Sequence, residues 1–428
     1  MASVKPKSVT LRTYQVGFGD CFLLSFHYKG KTHDRHVLID FGSTGQQKWH
    51  GPKLLNRVAE DIKAQCNGKL HAVVATHRHK DHISGFATNK QKTAPGDIIA
   101  SCKPDVVVQP WTEHPKARTN ATQAPATLTA RKAFVQALGS MHEISAAVLI
   151  EAERRKAILG AMKSEELKFI GKDNLSNLSA VENLMRMGKK NYYLNYGSKS
   201  GLERVLPGVK VTVLGPPTLK QSSQIKIQRS KDEAEFWQLQ ALANQFVVRK
   251  RGGTFRGKPI YSETGRPPFT RWFVKRLRSI RGEQLLGIVR ALDKVMNNTS
   301  LILLFEINKT KMLFPGDAQI ENWSYALSKA AVRRRLEKVN VYKVGHHGSR
   351  NATPKTLWNG FKTRSTNKKD KDRLKSFLST MPNKHGRSAS KTEVPRRTLV
   401  EALENQSELH RTDKLKGKTL SYVCEIQF

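Results

Sequence analysis

The chain has 428 residues, and its 75 Lys and Arg face only 35 Asp and Glu, a formal net charge of +40 and a pI near 10.3. A field of that sign selects polyanions, with nucleic acid the first expectation among phosphate-rich partners. Apolar runs of about five residues, as at 301–305, fall far short of the ~20 that span a bilayer; the start MASVKPKSVTLRTYQ has no apolar core for a secretory signal; four scattered cysteines argue against a disulfide scaffold. A cytoplasmic protein with no membrane segment is expected.

In chain order, residues 8–26 alternate around Gly17-Phe18-Gly19-Asp20 and read as two strands joined by a turn. Residues 35–42 form a third strand ending at Asp40. Leu54, Leu55, Val58, Ala59 and Ile62 follow at helical spacing, closed by Asn67-Gly68. The β-branched run at Val73-Val74 then stops in Thr76-His77-Arg78-His79-Lys80-Asp81-His82. Residues 105–111 are a further strand. Residues 115–205 read as a helical insertion, and 209–214 return to strand.

Residues 218–296 read as a second insertion, a basic arm. Between 249 and 281 it carries eleven Lys or Arg against one acid, Glu263, with Phe255, Tyr261, Phe269, Trp272 and Phe273 interleaved. Arg249, Lys250, Arg251, Arg271, Trp272, Lys275 and Arg276 are the candidates for phosphate tracking and base stacking. A solvated linker followed by an amphipathic helix is the plainer reading of the same stretch. Strands at 300–307 and 311–314 then form a hairpin across Asn308-Lys309, leading to Pro315-Gly316-Asp317. A helix at 322–336 precedes a strand at 339–344, which ends in Gly345-His346-His347-Gly348-Ser349-Arg350-Asn351. A strand at 377–380, a helix at 396–403 and a strand at 420–428 complete the chain.

The chemistry-bearing stretch is H-x-H-x-D-H. Residues two apart in an extended turn point the same way, so His77 and His79 can converge on one ion, with Asp81 and His82 reaching a neighbouring one. Imidazole with carboxylate suits Zn²⁺ first and Mn²⁺ second.

The order QVGFGDCFLL, HVLIDFGS, THRHKDHISGF, VTVLGPP, NNTSLILLFE, LFPGDAQIENW and YKVGHHGSRNAT resembles the metallo-β-lactamase fold, in particular stand-alone hydrolases similar to the hydrolase domain of the competence DNA-uptake protein ComEC. The resemblance spans about residues 10–355, broken by the two insertions. It implies an α/β chain folded as one domain, a four-layer αββα sandwich with helical and basic insertions and a metal site at one edge. It implies that His77 and His79 hold one ion, Asp81 and His82 a second, and that Asp317 bridges them. The later ligand histidine is expected at His346, ahead of His347 and then His385; His347 would otherwise meet substrate or donate a proton. Asp20 and Asp40 would orient ligand histidines. The pattern departs after VTVLGPP, where many members place another histidine and this chain has Gly215 and Pro216; His114 is a candidate elsewhere in the order.

With two divalent ions, water becomes an attacking base and Asp81 joins the reacting centre. Arg78, Lys80, Lys343 and Arg350 make a phosphate the natural match, with Ser349, Arg350 and Asn351 as donors to it. The expectation is a metal-dependent phosphodiesterase or nuclease. A non-cleaving nucleic-acid-binding protein and a small-molecule ester or thioester hydrolase remain the other two classes.

Overall fold

The structure, a computed structural model, describes residues 4–30, 33–46, 50–113, 177–218, 221–222, 297, 299–349, 353–384, 393–417 and 419–428. His114, His385, Arg350, Asn351 and the basic candidates between Arg249 and Arg276 lie outside them.

Two mixed sheets carry the chain. The first has the order β13-β1-β2-β3-β4-β5-β6, built from β1 (Pro6–Tyr14), β2 (Cys21–Tyr28), β3 (Arg35–Phe41), β4 (Ala72–Val74), β5 (Val106–Pro110), β6 (Lys190–Leu194) and β13 (Ser421–Gln427). Its pairs are antiparallel from β13 to β3 and parallel from β3 to β6. The second sheet, β12-β11-β10-β9-β8-β7, comprises β7 (Lys210–Gly215), β8 (Ile302–Ile307), β9 (Thr310–Phe314), β10 (Val341–Lys343), β11 (Lys375–Leu378) and β12 (Glu408–Arg411). It is parallel from β12 to β9 and antiparallel beyond.

The two-residue period of a strand sorts the side chains. Phe22, Leu24 and Phe26 of β2, Ala72 and Val74 of β4, Leu303 and Phe305 of β8 and Met312 and Phe314 of β9 share one apolar cluster that joins both sheets. The alternate residues Leu23, Leu38, Val73 and Val107 turn the other way, onto α1 (Leu54–Gln65), α3 (Pro95–Ser101) and α4 (Leu178–Arg186); α2 (Lys80–Ile83) is the short helix of the metal motif. In the second sheet Ile302, Leu304, Leu313 and Tyr342 turn onto α5 (Ile320–Leu327), α6 (Ala330–Leu336), α7 (Lys355–Gly360) and α8 (Arg397–Gln406). Strands buried on both faces read as near-continuous apolar runs, as β4, β5 and β8 do.

Two expectations are corrected. The stretch 115–205 is not helical throughout: within its described part, residues 190–194 form β6, parallel to β5 at the sheet edge. Only Leu194 of β6 is buried, so an edge strand this short shows no alternation to read. The helix expected at 322–336 is two helices, because Lys329 takes an extended backbone (φ −89°, ψ 114°) between α5 and α6. The segments between 113 and 177 and between 222 and 297 both leave the described fold just after β5 and β7; the second returns just ahead of β8, whose first residue pairs with the last of β7.

Candidate metal centre

The parallel strands β3, β4, β5, β9, β10 and β11 bring their carboxyl ends to one edge, the place where sheets of this class collect ligands. The turn after β4 is fixed first. Thr76 donates its backbone N–H and its hydroxyl to the two oxygens of Asp40, each at 2.7 Å. His77 and His79 follow, with Nε2 of the first 3.0 Å from Nδ1 of the second. The chain then turns into α2, which carries Asp81 and His82.

Glycines let the backbones close around that turn. A Cβ on Gly42 would lie 2.5 Å from the Asp81 carbonyl carbon and 2.5 Å from the His82 nitrogen, so only glycine admits the Asp81–His82 peptide there. Asp20 N–H donates to the Asp81 carbonyl at 2.9 Å. From the second sheet, Gly316 at φ +54° packs on Thr76, where a Cβ would meet the threonine Cβ at 2.7 Å, and so seats Asp317 beside the histidines.

Asp81, His82, Asp317 and His347 each offer one ligand atom, all within 4.8 Å of one another and all buried. His82 Nε2 is 3.1 Å from Asp317 Oδ2. His347 Nε2 is 3.0 Å from Asp81 Oδ2 and 3.6 Å from Asp317 Oδ2. The His77 ring centroid is 4.1 Å from that of His82. Asp40 and the Ser379 carbonyl take the Nδ1 protons of His82 and His347 at 2.8 and 3.1 Å, which turns both Nε2 atoms to the common centre.

Burial depresses the pKa of His77 and His79, the latter to about 4, and holds both rings neutral as ligation requires. His82 is pushed down by burial, but Asp317, Asp40, Asp81 and Asp20 outweigh it and raise its pKa well above the ordinary value. Burial likewise opposes, and the carboxylates overcome it, at His347. Burial would raise Asp81 and Asp317; nearby His82, with His347 for the first and Lys343 for the second, holds both well below the usual range. The carboxylates that crowd His82 and His347 are the negative charge a divalent cation would neutralise. Asp81 Oδ1, His82 Nε2 and Asp317 Oδ2 are buried without a hydrogen-bond partner, a costly state unless something else binds them. The buried His/Asp group thus fits a divalent ion.

The structure reverses the expected order of the paired histidines. The His347 side chain is fully buried in the cluster, whereas His346 is 26 % exposed with Nε2 4.0 Å from Asp317. His346 (φ 43°), His347 (φ 52°) and Gly348 (φ 82°) are successive left-handed residues, a strained turn that leaves His347 in the cluster and His346 on its rim. Ser349, expected at substrate, lies with its hydroxyl 2.9 Å from His346 Nδ1. Asp20, expected to orient histidines, is 3.7 Å from His82 Nδ1 and 3.5 Å from His347 Nδ1, and also pairs with Lys343.

Two expected surface cations turn inward. Arg78 Nε lies 3.9 Å from the buried carboxylate of Glu113. Lys343 is buried between Asp20 and Asp317. Sequence reasoning missed the positions of Thr76, Glu113 and Ser379; a Thr directly before the first ligand histidine was the one visible hint. No family model matches the chain, and no match is found among curated proteins.

Proposed function

We propose that the chain is a metallo-β-lactamase-fold hydrolase of the ComEC-like kind, its helix, sheet, sheet and helix layers forming the four-layer sandwich, and that it hydrolyses phosphodiester bonds in nucleic acid. The observation that carries the reading is the meeting of Asp81, His82, Asp317 and His347, from widely separated stretches, in one buried group beside His77 and His79.

Asp81, His82, Asp317 and His347, with His77 and His79 beside them, would hold divalent ions, Zn²⁺ foremost and as a pair, which would supply Lewis acidity for activating water. The chain's own groups do the rest. Thr76 anchors Asp40, Asp40 holds His82 Nδ1, and the Ser379 carbonyl holds His347 Nδ1, so both rings keep one tautomer. His346, on the rim with its Nδ1 2.9 Å from the Ser349 hydroxyl, is placed to hand a proton to a leaving oxygen. The net charge of +40 favours a polyphosphate chain over a neutral ester. The free cysteines suit a reducing, cytoplasmic setting, and among the described residues no helix is long and apolar enough to cross a membrane.

The test is metal-stripped protein resupplied with Zn²⁺ or Mn²⁺ and offered single- and double-stranded DNA and RNA. Cleavage is expected, with His79→Ala combined with Asp81→Asn abolishing it. Salt-sensitive binding without cleavage would instead identify a binding protein. Turnover of bis(p-nitrophenyl) phosphate or a thioester, with no nucleic-acid affinity, would identify a small-molecule hydrolase.

A further inference from the structure

Two groups of buried ligand atoms share His82. Asp81, His82, Asp317 and His347 form one; Asp20, Asp40 and His82 form the other, its ligand atoms also within 4.8 Å of one another. On composition alone either could take a cation. What separates them is Lys343, the last residue of β10, with a side chain only 2 % exposed. Its ammonium pairs with Asp20 and donates to the Gly316 carbonyl at 3.0 Å and to Asp317 Oδ1 at 3.3 Å. Two of its donors thus go to backbone and carboxylate oxygens of the Gly316–Asp317 turn, and its charge is paired with Asp20.

The consequences fall on both groups. Asp317 Oδ1 is committed twice, to Lys343 and to the His346 backbone N–H at 3.0 Å, so only Oδ2 faces His82 and His347. Asp20, meanwhile, already has a cation. We propose that Lys343 is a built-in counter-ion that sets the metal count of the pocket: it fills the Asp20 side with a fixed positive charge and leaves Asp317 one oxygen for ligation. This rests on the metal-centre reading above. Lys343 is a positioning residue; it reaches a reacting atom only through Asp317 and Asp20.

The pairing supports the assignment energetically. A lone buried ammonium or carboxylate is strongly disfavoured, and each here stabilises the other. An ammonium lodged between Asp20 and Asp317 and a divalent ion compete for the same carboxylates.

The experiment compares wild-type protein, Lys343→Met and Lys343→Arg by Co²⁺ titration, elemental analysis and thermal melting with and without metal. Lys343→Met is expected to bind one more equivalent of Co²⁺ per chain than wild type. It should melt lower than wild type when metal-free and recover more on loading. Lys343→Arg, which keeps the charge, should retain the wild-type stoichiometry. Should Lys343→Met fail to fold, Asp20→Asn with Lys343→Met removes the pair without leaving a bare charge. That double variant should bind Co²⁺ about tenfold or more tightly than wild type, because Asp317 Oδ1 loses the ammonium and keeps only the His346 N–H. Unchanged stoichiometry in Lys343→Met, or unchanged affinity in the double variant, with metal-free and loaded proteins destabilised in parallel, overturns the inference and leaves Lys343 a packing residue. Wild-type protein that binds no Co²⁺ defeats the metal-centre reading itself, a separate result.

Discussion

His347 Nε2 lies 3.0 Å from Asp81 Oδ2, although 266 positions separate the two in the chain. One residue comes from α2, which follows β4 of the first sheet, and the other from the turn after β10 of the second, so the pair joins the two halves of the fold at the edge that carries the buried His/Asp group. The contact also puts His347, rather than its neighbour His346, in the buried group that could hold an ion. His347→Ala should lower metal affinity more than about 100-fold, beyond what loss of an outer partner costs. His346→Ala should change affinity less than about tenfold while reducing turnover. Isothermal titration of both variants, paired with steady-state rates, separates the roles; the opposite ranking would restore His346 as the ligand.

Asp40 accepts from His82 and from Thr76 twice over. Asp40→Asn keeps the volume but sets an amide where the His82 Nδ1 proton needs an acceptor. Metal affinity should fall about 10- to 100-fold, and Thr76→Val should reproduce part of the loss. Competition with a chromogenic chelator reads both.

The peptide of Asp81 and His82 rests on Gly42 with no room for a methyl group. Gly42→Ala should destabilise the fold by about 1–3 kcal/mol, the usual scale of overpacking, and loosen metal binding. Gly30→Ala, at a glycine with nothing within 4 Å of an added Cβ, controls for substitution in open space, although its φ of +75° carries a strain of its own. Chemical denaturation of the metal-free proteins measures the difference.

Away from the metal edge, His36 and His71 are buried side by side, with the His36 backbone N–H donating to His71 Nδ1 at 3.1 Å. Burial lowers both pKa values to about 4, helped at His71 by the Arg35 guanidinium. The unfolded chain therefore binds these protons more readily than the folded one. Stability from this pair should be whole above about pH 6.5, decline as pH falls toward 4, and change no further below that. The loss is about 3 kcal/mol per ring at most, and less where solvent screens the ring. Melting of metal-free protein between pH 7 and 4 should show it, and His71→Gln should flatten the slope; an unaltered slope would assign the acid sensitivity elsewhere.

The strands with strict alternation or unbroken apolar runs were legible, as was the hairpin across Asn308-Lys309, where Ile307 pairs with Thr310. Asp81 and His82 were legible together from their spacing, a local property, whereas Asp317 was expected beside them only through the family resemblance; the three meet in one buried group. What escaped was set by tertiary contact. The left-handed turn at His346 and His347 exists because Asp317 Oδ1 captures the His346 N–H and the Ser379 carbonyl captures the His347 ring, partners invisible in the local pattern. Lys343 reads as one more cation in a basic chain until Asp20 and Asp317 are seen on either side of it. Residues 190–194 carry too little alternation for an edge strand to declare itself.

The long segments that depart after β5 and β7 are rooted at the same edge as the metal group, since β5 runs parallel to β4 and the first residue of β8 faces the end of β7. The two departures thus flank the buried His/Asp group, so changing the length of chain joined at residues 222 and 297 alters what lies next to that edge while leaving Asp81, His82, Asp317 and His347 in place.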